Sequence, residues 1–219
     1  MREVVREHEN EPVHGLPEDL PKGEGILWQG GPAWWPLARR ALHLKGLAVY
    51  FLVLIAWRIA SAMADGGTVA DVVLAPLTLI GMAAACLGLL ALIGRLQAGS
   101  AVYTVTNRRI VLRVGVALPM TVNLPFEAIQ TAALRRHSDG TEDIILTLVP
   151  GHRASWVALW PHLRPWRLSR PEPMLRAVPV SSGAAQVIAR ALAASAGMPV
   201  GTLDAPAASG AAVPGAAVA

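Results

Sequence analysis

The chain has 219 residues, a formal net charge of +4, 53% hydrophobic residues and one cysteine, Cys86. A single thiol excludes an intrachain disulfide and a cluster of thiolate metal ligands. Residues 95–219 hold twelve basic and six acidic residues. Such a surplus is typical of a surface beside an anionic membrane leaflet, so we expect anionic lipid as a partner and no nucleic acid.

The first 25 residues predict a flexible acidic tail. They are rich in acidic residues and proline but contain no apolar run, which excludes the pattern of a secretory signal peptide. We therefore expect the N-terminus to stay in the cytoplasm. The metal-binding residue types in this tail, His8, Glu9, Glu11 and His14, have no established ligand spacing, and we predict that the chain binds no metal.

A tryptophan-rich segment follows at residues 26–43. Tryptophan favours the headgroup level of a membrane, and an adjacent arginine can meet lipid phosphate. The sequence therefore predicts an interfacial segment, with packing of the rings on a soluble domain as the alternative. The interfacial residues are Trp28, Trp34, Trp35, Arg39 and Arg40.

Two long apolar stretches predict a transmembrane hairpin over residues 44–94, with helices at about 46–64 and 72–93. At about 1.5 Å per residue each helix spans roughly 30 Å, the thickness of a hydrocarbon core. Basic residues lie outside the pair, whereas Asp65 and Asp71 lie near the connecting loop. The positive-inside tendency then places both ends of the hairpin in the cytoplasm.

Three features of the hairpin predict specific contacts. Arg58 is an intramembrane charge that we expect either to reach the headgroups near Asp65 and Asp71 or to bind a partner. Thr68 and Asp71 have the spacing of a helix cap. A face of small residues in the second helix favours close helix packing and predicts a homodimer, a contact with the first helix or a contact with another membrane protein. Its members are Gly81, Ala84, Ala85 and Gly88.

The pattern changes after residue 95 to short β-type stretches separated by turn residues. We predict five strands, at 101–105, 110–114, 120–124, 131–136 and 144–149, and a helix at 181–196. The fold class is an α+β membrane protein, in which a two-helix transmembrane hairpin is followed by a cytoplasmic antiparallel β-sheet domain (95–196) with a C-terminal helix. Residues 197–219, rich in Ala, Pro and Gly, predict a disordered tail.

The run from Tyr103 to Ile110, YTVTNRRI, resembles the opening hairpin of bacterial pleckstrin-homology-like (PH-like) domains that sit on membrane hairpins. Three further blocks resemble the PuhB family of photosynthetic complex assembly proteins of purple bacteria. They are the runs 9–17, 26–30 and 163–176. The resemblance implies a non-enzymatic, dimeric assembly factor in the bacterial inner membrane, whose partners are reaction-centre and core antenna subunits or other assembly factors.

The run 160–176 alternates proline, arginine and tryptophan, which the strand–helix framework does not require. Extended backbone, rigid aromatic rings and forked guanidinium donors suit a docking surface for protein carboxylates or lipid headgroups. An ordinary loop over the sheet is the alternative. The docking candidates are Trp160, Arg164, Trp166, Arg167 and Arg170, together with Arg108 and Arg109 in the first hairpin.

The sequence contains no phosphate-binding glycine loop with lysine, no paired-histidine zinc helix and no glycine-flanked nucleophilic serine. We therefore expect no enzymatic activity. No histidine lies in either predicted span, so we expect neither bound pigment nor another cofactor. The competing interpretation is a membrane-anchored PH-like protein that senses lipid or acts as a scaffold, without any connection to photosynthesis.

Overall fold

The structure is a computed structural model that describes residues 15–197 except 17, 75, 153 and 168. The predictions for residues 1–14, including the tail residues His8, Glu9, Glu11 and His14, and for residues 198–219 lie outside this part of the chain. Part of the stretch 15–25, which we expected to belong to a flexible tail, contacts the folded domain. Leu16 is buried, and Glu24 forms an ion pair with Arg109.

Seven strands and six α-helices make up the described chain. The helices are α1 (Trp34–Ala41), α2 (Leu44–Ala64), α3 (Val69–Leu74), α4 (Leu77–Ser100), α5 (Trp156–Leu159) and α6 (Ala184–Ser195). The strands are β1 (Ile26–Gly30), β2 (Val102–Thr106), β3 (Arg109–Val114), β4 (Met120–Pro125), β5 (Ile129–Arg136), β6 (Thr141–Leu148) and β7 (Met174–Pro179).

The strands form two antiparallel sheets, with the orders β1-β2-β3-β4 and β5-β6-β7. All five predicted strands and the C-terminal helix are present, with ends that differ by up to three residues. The sequence did not predict β1 or β7, nor the division into two sheets. One hydrophobic core lies between the sheets and α6, because strands such as β3 and β6 point apolar side chains inward. Ile110 and Leu112 from β3, Leu146 from β6 and Ile188 from α6 are among its buried members.

The membrane hairpin is inserted into the first sheet. Strand β1 precedes the helices α1–α4 and β2 follows them, yet the two strands pair, with Gly30 opposite Tyr103 and Gln29 opposite Thr104. The β-sheet domain therefore does not simply follow the hairpin. Its first strand comes from the tryptophan-rich segment that we expected at the membrane interface.

Two helical stretches are long and apolar enough to cross a membrane, Leu44–Ala64 and Val69–Ser100. Their most apolar windows are only 6% and 11% buried, whereas a core helix of a soluble protein would be mostly buried. Large side chains such as Leu52 and Trp57 are more than 60% exposed. Such exposure is unfavourable in water and favourable in lipid. These helices, the two antiparallel sheets and the C-terminal helix confirm the predicted fold class.

The second apolar stretch is not one straight helix. Helix α3 begins with the predicted cap, in which the Asp71 carboxylate accepts hydrogen bonds from the Thr68 N–H (2.8 Å) and hydroxyl (2.7 Å). Pro76 then precedes α4, which continues to Ser100 rather than ending near residue 93. Arg95 therefore lies within the helix, with its guanidinium 5.6 Å from the centre of the Trp34 ring.

Helix α1 joins the hairpin to both sheets. Its Leu37 forms a small buried cluster with Ala98 of α4 and Ala177 of β7. The Ala33 N–H, just before α1, donates to the Ala177 carbonyl at 2.8 Å. A side chain at Gly94 of α4 would overlap Ala38, so glycine is required for this close approach.

We predict that Gly94→Leu lowers the stability of the full-length protein by about 1–3 kcal/mol, the usual cost of overpacking. The added side chain must push α1 away from α4. The measurement is the unfolding of the detergent-solubilised protein, followed by circular dichroism. Gly81→Leu is the matched control, because open space surrounds Gly81 on the same helix. Equal melting temperatures for the two variants would contradict the proposed contact.

Candidate functional site

The proline–arginine–tryptophan run forms a closed loop, which we call the docking loop (residues 164–172). A β-bridge between Leu163 and Pro173 closes its base. The Arg164 N–H also donates to the Glu172 carbonyl at 3.0 Å. The two ends of the loop therefore lie side by side, next to the start of β7.

One buried carboxylate organises the arginines of this loop. The Glu172 side chain is 8% exposed and lies 2.9 Å from the Arg164 guanidinium and 3.6 Å from that of Arg167. Both arginines remain about half exposed, so they retain donors that can meet a partner. The predicted docking residues Arg164 and Arg167 are thus brought together around Glu172.

The tip of the loop carries the most exposed of the predicted aromatic residues. Trp166 is 93% exposed and has a φ of +65°, in the left-handed region that few side chains adopt. Trp160, at the end of α5, is 46% exposed. Arg170 is exposed and lines a small cavity of about 250 Å³ together with Arg167. The loop therefore offers aromatic area and positive charge to a partner.

A buried polar network fixes the segment before the loop. The Tyr103 hydroxyl accepts from the Arg176 N–H at 3.3 Å and shares a hydrogen bond of 2.6 Å with Nδ1 of His162. Burial, together with the Arg176 charge, lowers the pKa of His162 to about 3. Burial also raises the pKa of Tyr103. Both side chains are therefore neutral at pH 7, and the tyrosine of the YTVTNRRI run has a structural role.

The Arg176 side chain extends this network to Pro161, the residue before His162, because its guanidinium donates to the Pro161 carbonyl at 2.9 Å. Burial lowers the pKa of Arg176, an effect that Asp143 opposes. Asp143 in turn accepts from the Ala177 N–H at 2.7 Å and from His137 Nε2 at 2.8 Å. These contacts could not be predicted from the sequence, because the residues lie in β6, in β7, in the β5–β6 turn and in the segment after α5.

The first hairpin places its two arginines differently. Arg109 donates to Glu24 at 2.8 Å, and the Glu24 side chain is 3% exposed. Thr106 and Asn107 hold the turn through hydrogen bonds to backbone groups. Arg109 therefore fixes the N-terminal segment to the sheet, which is not the docking role that we expected. Arg108 is exposed and borders a cleft of about 830 Å³ beneath α6.

The expected interfacial residues separate into two groups. Trp28 lies in β1, donates from Nε1 to the Ser182 carbonyl at 3.1 Å and packs on the main core. Its place in the sheet corrects the interfacial assignment. The sequence did not reveal this strand, because its five residues show no alternation of apolar and polar side chains. Trp34 and Trp35 are about 40–50% exposed on α1 and stay interfacial candidates.

The arginines of α1 bind the second sheet. Arg39 forms a 2.7 Å ion pair with Asp139 in the β5–β6 turn, and Arg40 donates to the Thr141 hydroxyl at 2.8 Å. Burial alone would raise the pKa of Asp139, but hydrogen bonds from Thr141 and the charges of Arg40 and Arg39 outweigh it and lower that pKa. Neither arginine is simply a lipid-facing side chain.

The hairpin residues singled out in the sequence lie on its surface. Gly81, Ala84, Ala85 and Gly88 are all exposed within the chain, and the close approach to α1 occurs instead at Gly94. Homodimerisation through this face stays a prediction. Arg58 is exposed and has no ion pair with Asp65 or Asp71 within the described residues. Among those residues no group of three metal-binding side chains occurs either.

The two sheets closed by a C-terminal helix, carried on an apolar hairpin, define a class of membrane-anchored PH-like proteins. The bacterial PH domain family matches residues 41–190, and the chain belongs to this family. The matched range begins after β1, so the strand that precedes the hairpin lies outside it.

A particular relative is an uncharacterized 23.7 kDa protein encoded in the puhA 5' region of Rhodobacter capsulatus. The two sequences are 38% identical over 184 residues, which cover 83% of this chain and 85% of the relative. This similarity is consistent with the likeness to the PuhB family. No solved structure matches the chain.

We predict that Arg109→Gln lowers the stability of the protein by about 1–3 kcal/mol, because it leaves the buried Glu24 carboxylate without its charged donor. Arg108→Gln is the matched control and should leave the stability unchanged. Urea unfolding of the full-length protein in detergent measures both. Equal stabilities of the two variants would show that Arg109 is available for docking.

We also predict that acid destabilises the protein through His162. The unfolded chain binds a proton at this residue below about pH 6.5, whereas the folded chain does so only near pH 3. The contribution of His162 to stability is therefore complete above pH 6.5 and is lost as the pH falls toward 3, at up to about 1.4 kcal/mol per pH unit.

The measurement is urea unfolding between pH 7 and pH 4.5 for the wild type and for His162→Gln, which keeps a side chain able to form a hydrogen bond with the Tyr103 hydroxyl. The variant should lose stability less steeply with acid than the wild type. His152→Gln, at an exposed position, is the control and should keep the wild-type slope. Parallel slopes for the wild type and His162→Gln would contradict a neutral buried imidazole.

Proposed function

We propose that this protein is a non-enzymatic membrane factor that assists assembly of the photosynthetic reaction centre with its core light-harvesting antenna. The observation that carries the proposal is the relationship, over more than four fifths of the chain, to a protein encoded in the puhA region. This relationship supports an association with photosynthesis genes. The likeness of the docking loop and its flanks to the PuhB family supports the specific role.

The docking loop supplies a physical means of holding another protein. Exposed Trp166 offers a large rigid surface, and Arg164 and Arg167 offer forked donors for carboxylates. The buried network of Tyr103 and His162 fixes the segment that leads into the loop. A preorganised loop loses less conformational entropy when it binds. We expect its partner to be a reaction-centre or antenna subunit, or another assembly factor.

The proposed location is the bacterial inner membrane, with both termini and the two sheets in the cytoplasm. The positive residues at the base of the hairpin support this orientation, because positive charge is enriched on the cytoplasmic side. The outer end of the hairpin carries Asp65 in the loop after α2 and Asp71 in the first turn of α3, and no Lys or Arg lies between them. The protein acts without a cofactor of its own in this proposal.

The alternative function is a lipid-sensing or scaffold protein with the same fold and no role in photosynthesis. Deletion of the gene distinguishes the two. The near-infrared absorption spectrum of membranes from pigment-induced cells should selectively lose the reaction-centre and core-antenna bands, and a wild-type copy should restore them. An unchanged spectrum in the deletion strain would refute the assembly function and favour the alternative.

We predict that a Trp166→Ala, Arg167→Gln double variant restores those bands less than half as well as the wild-type gene. Trp166 is almost fully exposed, and Glu172 keeps its closer ion pair with Arg164 when Arg167 is replaced. The substitutions should therefore leave the protein folded and present at normal levels in the membrane. Trp166→Phe keeps an aromatic ring and serves as the matched control. Full restoration by the double variant, at equal protein levels, would show that assembly does not use the docking loop.

A further inference from the structure

A basic cavity lies where the hairpin joins the second sheet. It has a volume of about 480 Å³ and lies between the outer face of the sheet β5-β6-β7 and the connection between α1 and α2. Six cationic side chains and one carboxylate, that of Asp143, line it. The cationic residues are Arg39, Arg40, Lys45, Arg135, Arg164 and Arg176.

The charges within this cavity are incompletely matched. Adding Asp139 and Glu172, which pair with Arg39 and Arg164 from outside the lining, still leaves three more positive than negative charges. Nη1 of Arg40 is buried and has no hydrogen-bond partner, and its nearest carboxylate oxygen, on Asp139, is 3.8 Å away. Lys45 is exposed and forms no ion pair with a described residue. The cavity therefore has a net positive charge and a free donor, which suit an anionic ligand.

An apolar groove adjoins the basic cavity, and the two share Arg39 and Lys45 as walls. The groove also has a volume of about 480 Å³ and lies between α1, α2 and α4. Its remaining walls are Trp35, Leu44, Ala48, Leu87, Gly88 and Ala91. The positive side chains of Arg39 and Lys45 therefore lie at the boundary between the basic cavity and the apolar groove.

The groove lies at the depth of acyl chains. Ala91 and Leu87 precede Arg95 by four and eight residues in α4. At about 1.5 Å per residue they lie roughly 6 and 12 Å farther into the membrane than Arg95. A phosphate at Arg39 and Lys45 would therefore stand at the headgroup level while an attached chain entered the hydrocarbon beside Gly88.

We propose that the cavity and groove together form a binding site for one anionic phospholipid. The phosphate oxygens bind Arg40 Nη1, Arg39 and Lys45, and one acyl chain lies over Gly88 between α2 and α4. A soluble phosphate would leave the groove empty, and an acidic peptide would bury charge against apolar walls. The proposal does not depend on the assembly function, because the site is complete within one chain.

The test is native mass spectrometry of the full-length protein in a mild detergent, with equal amounts of phosphatidylglycerol and phosphatidylcholine. We expect at least tenfold preferential retention of phosphatidylglycerol. Lys45→Gln should reduce that preference about fivefold, since it removes an unpaired charge at the entrance. Its melting temperature should equal that of the wild type, because Lys45 has no partner to lose.

A second pair of variants tests the groove without changing charge. Gly88→Leu should fill the groove and reduce retention of both lipids at least fivefold. Gly81→Leu, two turns away on the same helix, should leave retention unchanged, because Gly81 is not one of the groove walls. Both glycines have open space around them, so neither substitution should disturb the packing within the chain. The comparison also separates lipid binding from helix pairing, to which both positions of the small-residue face would contribute.

Equal retention of the two lipids would overturn the proposal, as would wild-type selectivity in Lys45→Gln. Displacement of phosphatidylglycerol by millimolar inorganic phosphate, with no effect of Gly88→Leu, would identify a site for a soluble anion instead. Equal losses in Gly88→Leu and Gly81→Leu would assign the effect to helix packing and would also refute the lipid site.

Discussion

The pairing of β1 with β2 across the inserted hairpin is the constraint on which the rest of the structure depends. Gly30 lies opposite Tyr103 in the sheet. The chain must therefore leave the sheet at the end of β1, pass through helices α1–α4 and return to the same end of the sheet at the start of β2. Two short connections, residues 31–33 and Ala101, then fix the hairpin to the domain. A hairpin attached by one flexible linker could rotate freely, whereas this one cannot.

Helix α1 converts that constraint into a rigid junction with the second sheet. Leu37 and Ala38 pack against α4, while Arg39 and Arg40 reach the β5–β6 turn on the other side. The backbone of Ala177, with a φ of +52°, binds both the Ala33 N–H and the Asp143 carboxylate. A displacement of the hairpin would therefore have to disturb β7, from which the chain leads directly back to the docking loop.

The features that the sequence predicted are those that local pattern determines. The apolar stretches, the five short β-type stretches and the Thr68–Asp71 cap each depend on residues close together in the chain. Strand β1 could not be predicted, because its partner lies beyond the hairpin and the tryptophans nearby favour an interface equally well. For the same reason the pairing of Arg109 with Glu24, 85 residues apart, was not visible, and Arg109 resembled a free docking residue.

The basic residues near the junction of the hairpin and the second sheet have a more specific arrangement than attraction to an anionic leaflet requires. A general electrostatic attraction would be satisfied by any exposed arginines on the membrane-facing surface. Here six cationic side chains from α1, α2, β5, β7 and the docking loop instead line one cavity, in which Arg40 has a buried donor without an acceptor. Leaving that donor unpaired costs about 1–3 kcal/mol. An anion at this position would remove the cost and would also join the hairpin to the base of the docking loop through Arg164.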